Sequence, residues 1–597
     1  MKVYNLFLCL LALALLMPSC NDSFMDRFPE TNITEHVFFN SPHDLQTFSN
    51  NFYQWISSGT WWDQGTDNMI TMDVTEIHRL MSGEITPDNV GQWGGRWPPI
   101  RNVNFMIARA YRTVGEPATI NHYIGVARFF RAHLYYALVR RYSDVPWFSR
   151  DLSNTDIDLL FKPQDPRSLV VDSIMADLQF AVDHIRPGDS RTRLTRWTAL
   201  AMQSRIALHE GTWRRYHPEL GLTDSDRFFE LAAYAARQII DADVFRLHPH
   251  YYQLFNSLSL VGNREMIMFA AYDQALRRHN AHSAFDWVTG LSRDLMEDYL
   301  AIVDGRAVPF HTIPGYNTKT FVELFQDRSS RDSRMFQTFM NPGHIDVGRT
   351  LPAIPTLALG GFPQIKFRPT TFDQLAWGMG HTDLPVIRYA EVLLNYAEAR
   401  AELGVLTQED MDMTINLLRD RAGVPRATLA EWLTDIDPVQ ANRFPNVTSA
   451  QRGAILEIRR ERRVELAAEG FRLNDLYRWR AGRLLERAPE GTFIRQLGLQ
   501  DVTGDGVPDI AIVRTQADAD AIREDETIPA DVRARLTITI LDSSATSFKL
   551  TGGDSGHIVQ ISQVDRWTFI EPKHYFFPID RRDMLVNPNL VQNVFWR

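Results

Sequence analysis

A predominantly α-helical fold, with helix pairs stacked as a scaffold around a loop-rich centre and minor β-hairpins near the C-terminus, is predicted by three observations. Apolar residues recur with a helical period in two blocks of the 597-residue chain, mainly 121–245 and 383–486. Between the blocks, roughly 245–380, the period is lost and glycine, proline and aromatic residues gather, as in "ALGGFPQIKFRPTTFDQLAWGMG". Beyond the second block, "ARLTITIL" and "GHIVQISQ" alternate apolar and polar residues, which predicts small hairpins rather than a large sheet.

Each element has its own grounds. In "HYIGVARFFRAHLYYALVRRY", residues Ile124, Ala127, Phe130, Leu134, Ala137 and Leu138 form one apolar stripe. "SDVPW" stops that helix, because Pro146 turns Val145 away from the helical region. "SLVVDSIMADLQFAVDHI" is a second helix, ended by "RPGD". "TRWTALAMQSRIALHEGTW" is a third, with Thr195 as its N-cap, and "DRFFELAAYAARQIIDA" a fourth. Helices of this length with short connections suggest antiparallel pairs stacked as a solenoid. The period returns in "LPVIRYAEVLLNYAEARAELG", where Ile387, Ala390, Val392, Leu394 and Ala397 supply the apolar side. It continues through "EDMDMTINLLRDRAG" and "QRGAILEIRRERRVELAAEGFRLNDLYRWRAGRLL". No linker divides the chain, so residues 46–597 are expected to form one domain.

The N-terminus predicts export. Lys2 is the only charge before an apolar run from Leu6 to Met17, the pattern of a secretory signal. The run is short of the roughly 20 residues that span a bilayer. "LMPSC" resembles a bacterial lipobox, so residues 1–19 are expected to be removed and Cys20 to become a lipidated N-terminus, followed by a tether over 20–45. The chain has only two cysteines, Cys9 and Cys20, and Cys9 would leave with the signal. A chain this long buries its core without disulfides. Acyl chains would then hold it to the membrane, at about 0.8 kcal/mol per buried CH₂. A net charge of -10 and the lack of a large basic patch argue against a nucleic-acid partner.

Catalytic motifs are missing. "HEGTW" at His209 pairs a histidine with a glutamate but has no second histidine at zinc-ligand spacing. Glycine and serine in "TGGDSGHI" do not form a G-x-S-x-G elbow. No pair among the 73 acidic residues is singled out for glycoside hydrolysis, so a surface hydrolase is the outside reading.

Four further stretches carry a family resemblance. "VARFFRAHLYYALVRRYSDVPWF", "LPVIRYAEVLLNYAEARAELG", "RRERRVELAAEGFRLNDLYRWRAG" and "HYFFPIDRRDMLVNPNLVQN" occur in the order found in the SusD/RagB outer-membrane lipoproteins of Bacteroidetes. Together with the lipobox they make the whole chain resemble that family, although the final "VFW" departs from its usual ending. The resemblance implies a non-enzymatic, lipid-anchored protein on the cell surface, with tetratricopeptide-like helix pairs as scaffold. It also implies a SusC-like TonB-dependent transporter as partner, receiving an oligosaccharide or, alternatively, a peptide. Asp22 and Asp26 resemble the family's signal for the outer leaflet. Arg459, Glu461, Arg462 and Glu465 are read as a salt-bridged helix face that knits the helices together, and Glu391, Tyr396 and Glu398 likewise.

A glycan site needs flat aromatic rings beside amide, carboxylate or arginine groups. Such clusters lie mostly around 53–100 and 245–380. Trp93 and Trp97, in a Gly-rich loop with Asn89, Gln92 and Arg96, lead the candidates, followed by Trp61, Trp62, Trp287 and Trp377. For each tryptophan the competing reading is a packed core residue. "DVTGDGVPDI" suggests a structural Ca²⁺ held by Asp501, Thr503, Asp505 and Asp509. Thr503 stands where an acid is usual and Ile512 where a bidentate glutamate is expected, so a bare Asp–Gly turn is the alternative.

Overall fold

Both helical blocks form helices, and the second continues the first in space. The computed structural model describes residues 38–56, 63–91, 93–188, 190–282, 287–564 and 566–597, so Cys20, Trp61, Trp62 and Gln92 lie outside the described residues. The principal helices are α1 Pro42–Asn50, α2 Trp97–Ala110, α3 Pro117–Tyr142, α4 Arg167–His184, α5 Arg196–Tyr216, α6 Ser225–Asp241, α7 Tyr389–Glu402, α8 Arg452–Glu465 and α9 Arg472–Arg478. Each of α2 to α7 packs against the next in the series, and α7 packs against α8. Small residues make the close approaches: a Cβ on Gly211 of α5 would come within 2.9 Å of the Phe229 ring on α6. Thr195 caps α5 by accepting from the Thr198 N–H at 3.3 Å.

The loop-rich middle is held by short antiparallel pairs. Strand β1 is Met69–Thr71, β2 Met266–Ala270, β3 Thr289–Leu291 and β4 Leu384–Arg388. β2 pairs with β4, Met266 opposite Arg388 and Ala270 opposite Leu384, which closes the base of the excursion 271–383. β1 pairs with β3, Met69 opposite Leu291, and so joins the loops near residue 70 to the middle region. An apolar cluster that includes Tyr251, Phe255, Phe339, Phe362 and Phe367 supports these loops, separate from the main core around the helices.

One expectation is corrected. The strand Thr537–Ile540 within "ARLTITIL" is not half of a hairpin: it runs parallel to Ile510–Val513, with helices Gln516–Glu524 and Ala530–Arg535 making the crossover that a parallel pair requires. Phe548–Leu550 and Gly556–Gln560 do form the expected hairpin. The charged run of α8 knits helices together as expected, and it does so from a buried position. Arg459, Glu461, Arg462 and Glu465 are all buried, and their partners lie on other elements. Glu465 accepts from Arg388 at 2.9 Å, Arg421 at 2.5 Å and Arg334 at 2.9 Å. Arg462 donates to Asp475 of α9 at 2.9 Å, and Arg459 to Glu402 of α7 at 3.3 Å. On α7, Glu398 accepts from both terminal nitrogens of Arg478, at 2.5 and 2.8 Å, and from the Trp479 indole at 2.7 Å. Paired and hydrogen-bonded in this way, the charges join helices from inside.

Candidate ligand-binding face

A two-way backbone bridge lies beside an exposed aromatic segment of the middle region. The His279 N–H donates to the Gly380 carbonyl at 2.8 Å, and the Gly380 N–H to the His279 carbonyl at 3.0 Å. Only glycine fits at 380, because a Cβ would stand 2.7 Å from the His279 ring. The Gly378 N–H, at φ +71, donates to the Asn280 side-chain oxygen at 2.9 Å. Burial lowers the His279 imidazole to about 4, so it stays neutral at physiological pH and accepts or donates only locally. The segment that carries Trp377 is thereby tied to His279 and Asn280.

Trp287 is 67% exposed and Trp377 59%, and their ring centroids are 6.3 Å apart with an interplanar angle of 57°. Two indoles left side by side in water form an uncovered apolar surface, which is unfavourable unless something binds there. Phe372 is exposed on the Trp377 segment, with the Arg349 guanidinium 5.7 Å from its ring centroid. Polar groups flank the rings in sequence: Gln274 donates to Asp373 at 3.3 Å, and the His381 N–H donates to Gln374 at 2.9 Å. Exposed flat apolar rings can stack on a sugar ring, and exposed groups of the same region such as Gln274, Asp373 and Arg349 can orient its hydroxyls.

The leading candidates of the sequence are placed differently. Trp93 is only 4% exposed, its ring edge-on to Tyr142 at 4.9 Å and to Trp97 at 5.2 Å. Gly94–Arg96 form one 3₁₀ turn that runs directly into α2, so the segment is a helix entry rather than an open loop. "WPP" carried that signal, since proline is favoured in the first helical turn. Trp97 is half-buried and edge-on to Phe148, and with Trp93, Ile100, Leu160 and Leu590 it lines a groove of about 480 Å³. The Asn89 side chain serves its own turn, accepting from the Thr86 N–H at 2.8 Å and donating to the Glu84 carbonyl at 2.7 Å. Arg96 is part-buried in the turn entering α2. The structure therefore unites Trp287 with Trp377 and sets Trp93 in the core.

The Asp–Gly segment is the loop between the antiparallel strands Gly498–Gln500 and Ile510–Val513. Its carboxylates point at backbone amides: Asp501 accepts from Thr503, Gly504 and Gly506, Asp505 from Val507, and Asp509 from Val502 and Thr503. Among the described residues, no group of three or more His, Cys, Asp or Glu side chains is arranged to hold a metal ion.

The comparisons with known proteins fit this architecture. The SusD family profile matches residues 289–596, more than half of the chain. The protein belongs to the SusD family. A second profile, described as starch-binding associating with outer membrane, matches residues 23–208 of this SusD-family chain. SusD-like protein P2 of Formosa agariphila is 25% identical over 517 residues, covering 81% of this chain and 92% of the relative. A SusD-like carbohydrate binding protein from Bacteroides fragilis superposes with a TM-score of 0.65 at 20% identity, covering 93% of this chain and all of the other. A laminarin binding SusD-like protein superposes at 0.53 with 16% identity, over 93% of this chain and 100% of that one. At these identities the solved structures speak for the SusD fold alone.

Proposed function

We propose that this protein captures an oligosaccharide at the cell surface and passes it to a SusC-like TonB-dependent transporter in the outer membrane, without cleaving it. The observation that carries this reading is the exposed pair Trp287 and Trp377, with ring centroids 6.3 Å apart and Trp377 close in sequence to the His279–Gly380 bridge. The carbohydrate-binding and laminarin-binding descriptions of its structural neighbours support a glycan as the ligand, and the starch-binding family description supports outer-membrane association. Cys20 provides the lipid anchor.

Calorimetric titration with a panel of polysaccharides and peptides tests the reading. Trp377→Ala removes a stacking contact of about 0.5–1.5 kcal/mol together with its buried area, so affinity for the cognate glycan should fall about tenfold. Binding of peptides but no glycan would favour peptide uptake, and released reducing ends would reveal a hydrolase. Unchanged affinity in Trp287→Ala/Trp377→Ala would move the site to the groove beside Trp97. Cys20→Ala should abolish lipid labelling and surface retention; normal labelling would refute the anchor.

A further inference from the structure

A second cavity, of about 620 Å³, lies among the helices Arg293–Asp298 and Pro438–Arg443 and the segment 482–490. It shares no lining residue with the groove beside Trp97, and neither Trp287 nor Trp377 reaches it. Its walls are charged, and most of those charges are already matched. Arg443 donates to Asp294 at 2.6 Å and to Asp298 at 2.7 Å, Arg460 pairs with Asp437, and Arg293 donates to Glu297 at 2.8 Å.

The most loosely matched is Arg483. Its side chain is 70% exposed, and the Glu571 carboxylate it approaches stands 3.7 Å away, outside hydrogen-bond distance. Four residues on, Arg487 is equally exposed and holds Glu490 through one nitrogen at 2.8 Å, leaving the rest of its fork open. Asn317 and Asn442, both exposed, add side-chain amides to the same cavity. The segment bearing the arginines is fixed at both ends. The Gly482 N–H donates to the Tyr575 hydroxyl at 3.0 Å, and the Glu490 carbonyl accepts from the Arg293 N–H at 2.7 Å. A Cβ at Gly482 would meet the Phe569 ring at 2.3 Å, so this turn is closely packed. A fixed segment loses little freedom on binding.

Guanidinium forks match a planar carboxylate, and amides match hydroxyls, while the cavity offers no indole platform for stacking. We infer that this cavity is a second ligand site, which takes a small carboxylate-bearing, hydroxyl-rich solute of the size of a single uronic acid, with Arg483 and Arg487 on the carboxylate and Asn317 and Asn442 on the hydroxyls. The inference does not rest on the tryptophan platform.

Calorimetry on the full mature chain with D-glucuronate, D-glucose and glucose 6-sulfate as probes tests it. Glucuronate should bind at millimolar concentration, more weakly as salt is raised, and glucose should not. Arg483→Gln/Arg487→Gln should weaken glucuronate at least tenfold with an unchanged melting temperature, and Trp377→Ala should leave it unaffected. If the double variant melts early, Asn442→Ala must still weaken glucuronate. Absence of glucuronate binding, binding insensitive to the arginines, or binding lost in Trp377→Ala would overturn the site. Equal binding of glucose 6-sulfate would overturn its preference for carboxylate.

Discussion

Trp93 and Trp377 carry the same side chain with opposite consequences. Trp93 fills space against Tyr142, so Trp93→Ala should leave a cavity and destabilise the protein by about 3–5 kcal/mol, read as a lower urea midpoint. Trp377 projects into solvent, and Trp377→Ala should change stability by no more than about 0.5 kcal/mol while weakening glycan. Both were legible as candidates, but a sequence window around Trp93 contains neither Tyr142 nor the packing that buries it. The Asp501 carboxylate illustrates the same limit. Its spacing suits calcium, yet it accepts three backbone N–H groups within its own turn. Asp501→Ala should therefore lower the melting temperature equally with calcium and with chelator, by about 1–3 kcal/mol of stability. A melting temperature that drops on chelation in the unaltered protein, and not in Asp505→Ala, would restore the metal site.

At the scale of elements, α8 is the joint on which both halves close. Its partner Arg334 is 131 residues away from Glu465 in the chain, and Arg388 is 77 away, so nothing local told a buried network from a solvated charged face. Glu465→Ala would leave three arginines facing one another without that carboxylate, and a loss of about 3–5 kcal/mol is expected in denaturant melts. Glu398 on α7 gives the pH signature. Burial, the largest influence, raises its carboxyl, but the charge and hydrogen bonds of Arg478, with the charges of Arg462 and Arg459, more than reverse this and bring it from an ordinary 4.5 down to about 2. A folded-state value below the unfolded one gives stabilisation that is complete above pH 4.5 and lost as pH falls towards 2. Melting scans across that range should show the loss, and Glu398→Gln should be less stable at neutral pH with a flatter acid limb.

Across the whole molecule, periodicity carried the scaffold. The helix stripes, the Thr195 cap and the stop at "SDVPW" all appear where the residues put them. The pairing of distant segments was not legible, because β1 and β3, or the parallel partner of Thr537–Ile540, depend on contacts that leave no local pattern. Trp287 and Trp377, both candidates from irregular regions of the sequence, stand with their ring centroids 6.3 Å apart.

The β2–β4 pair bears on how such a protein changes over generations. It pins both ends of 271–383 to the helical scaffold, so replacements at the exposed tips of that excursion leave the register of the pair and the buried charges of α8 untouched. Most substitutions destabilise, and selection purges those that fall below the stability threshold. If the exposed loop aromatics meet the nutrient as proposed, the binding residues sit where that penalty is smallest, and a lineage can drift from one diet to another by rewriting a few loop positions.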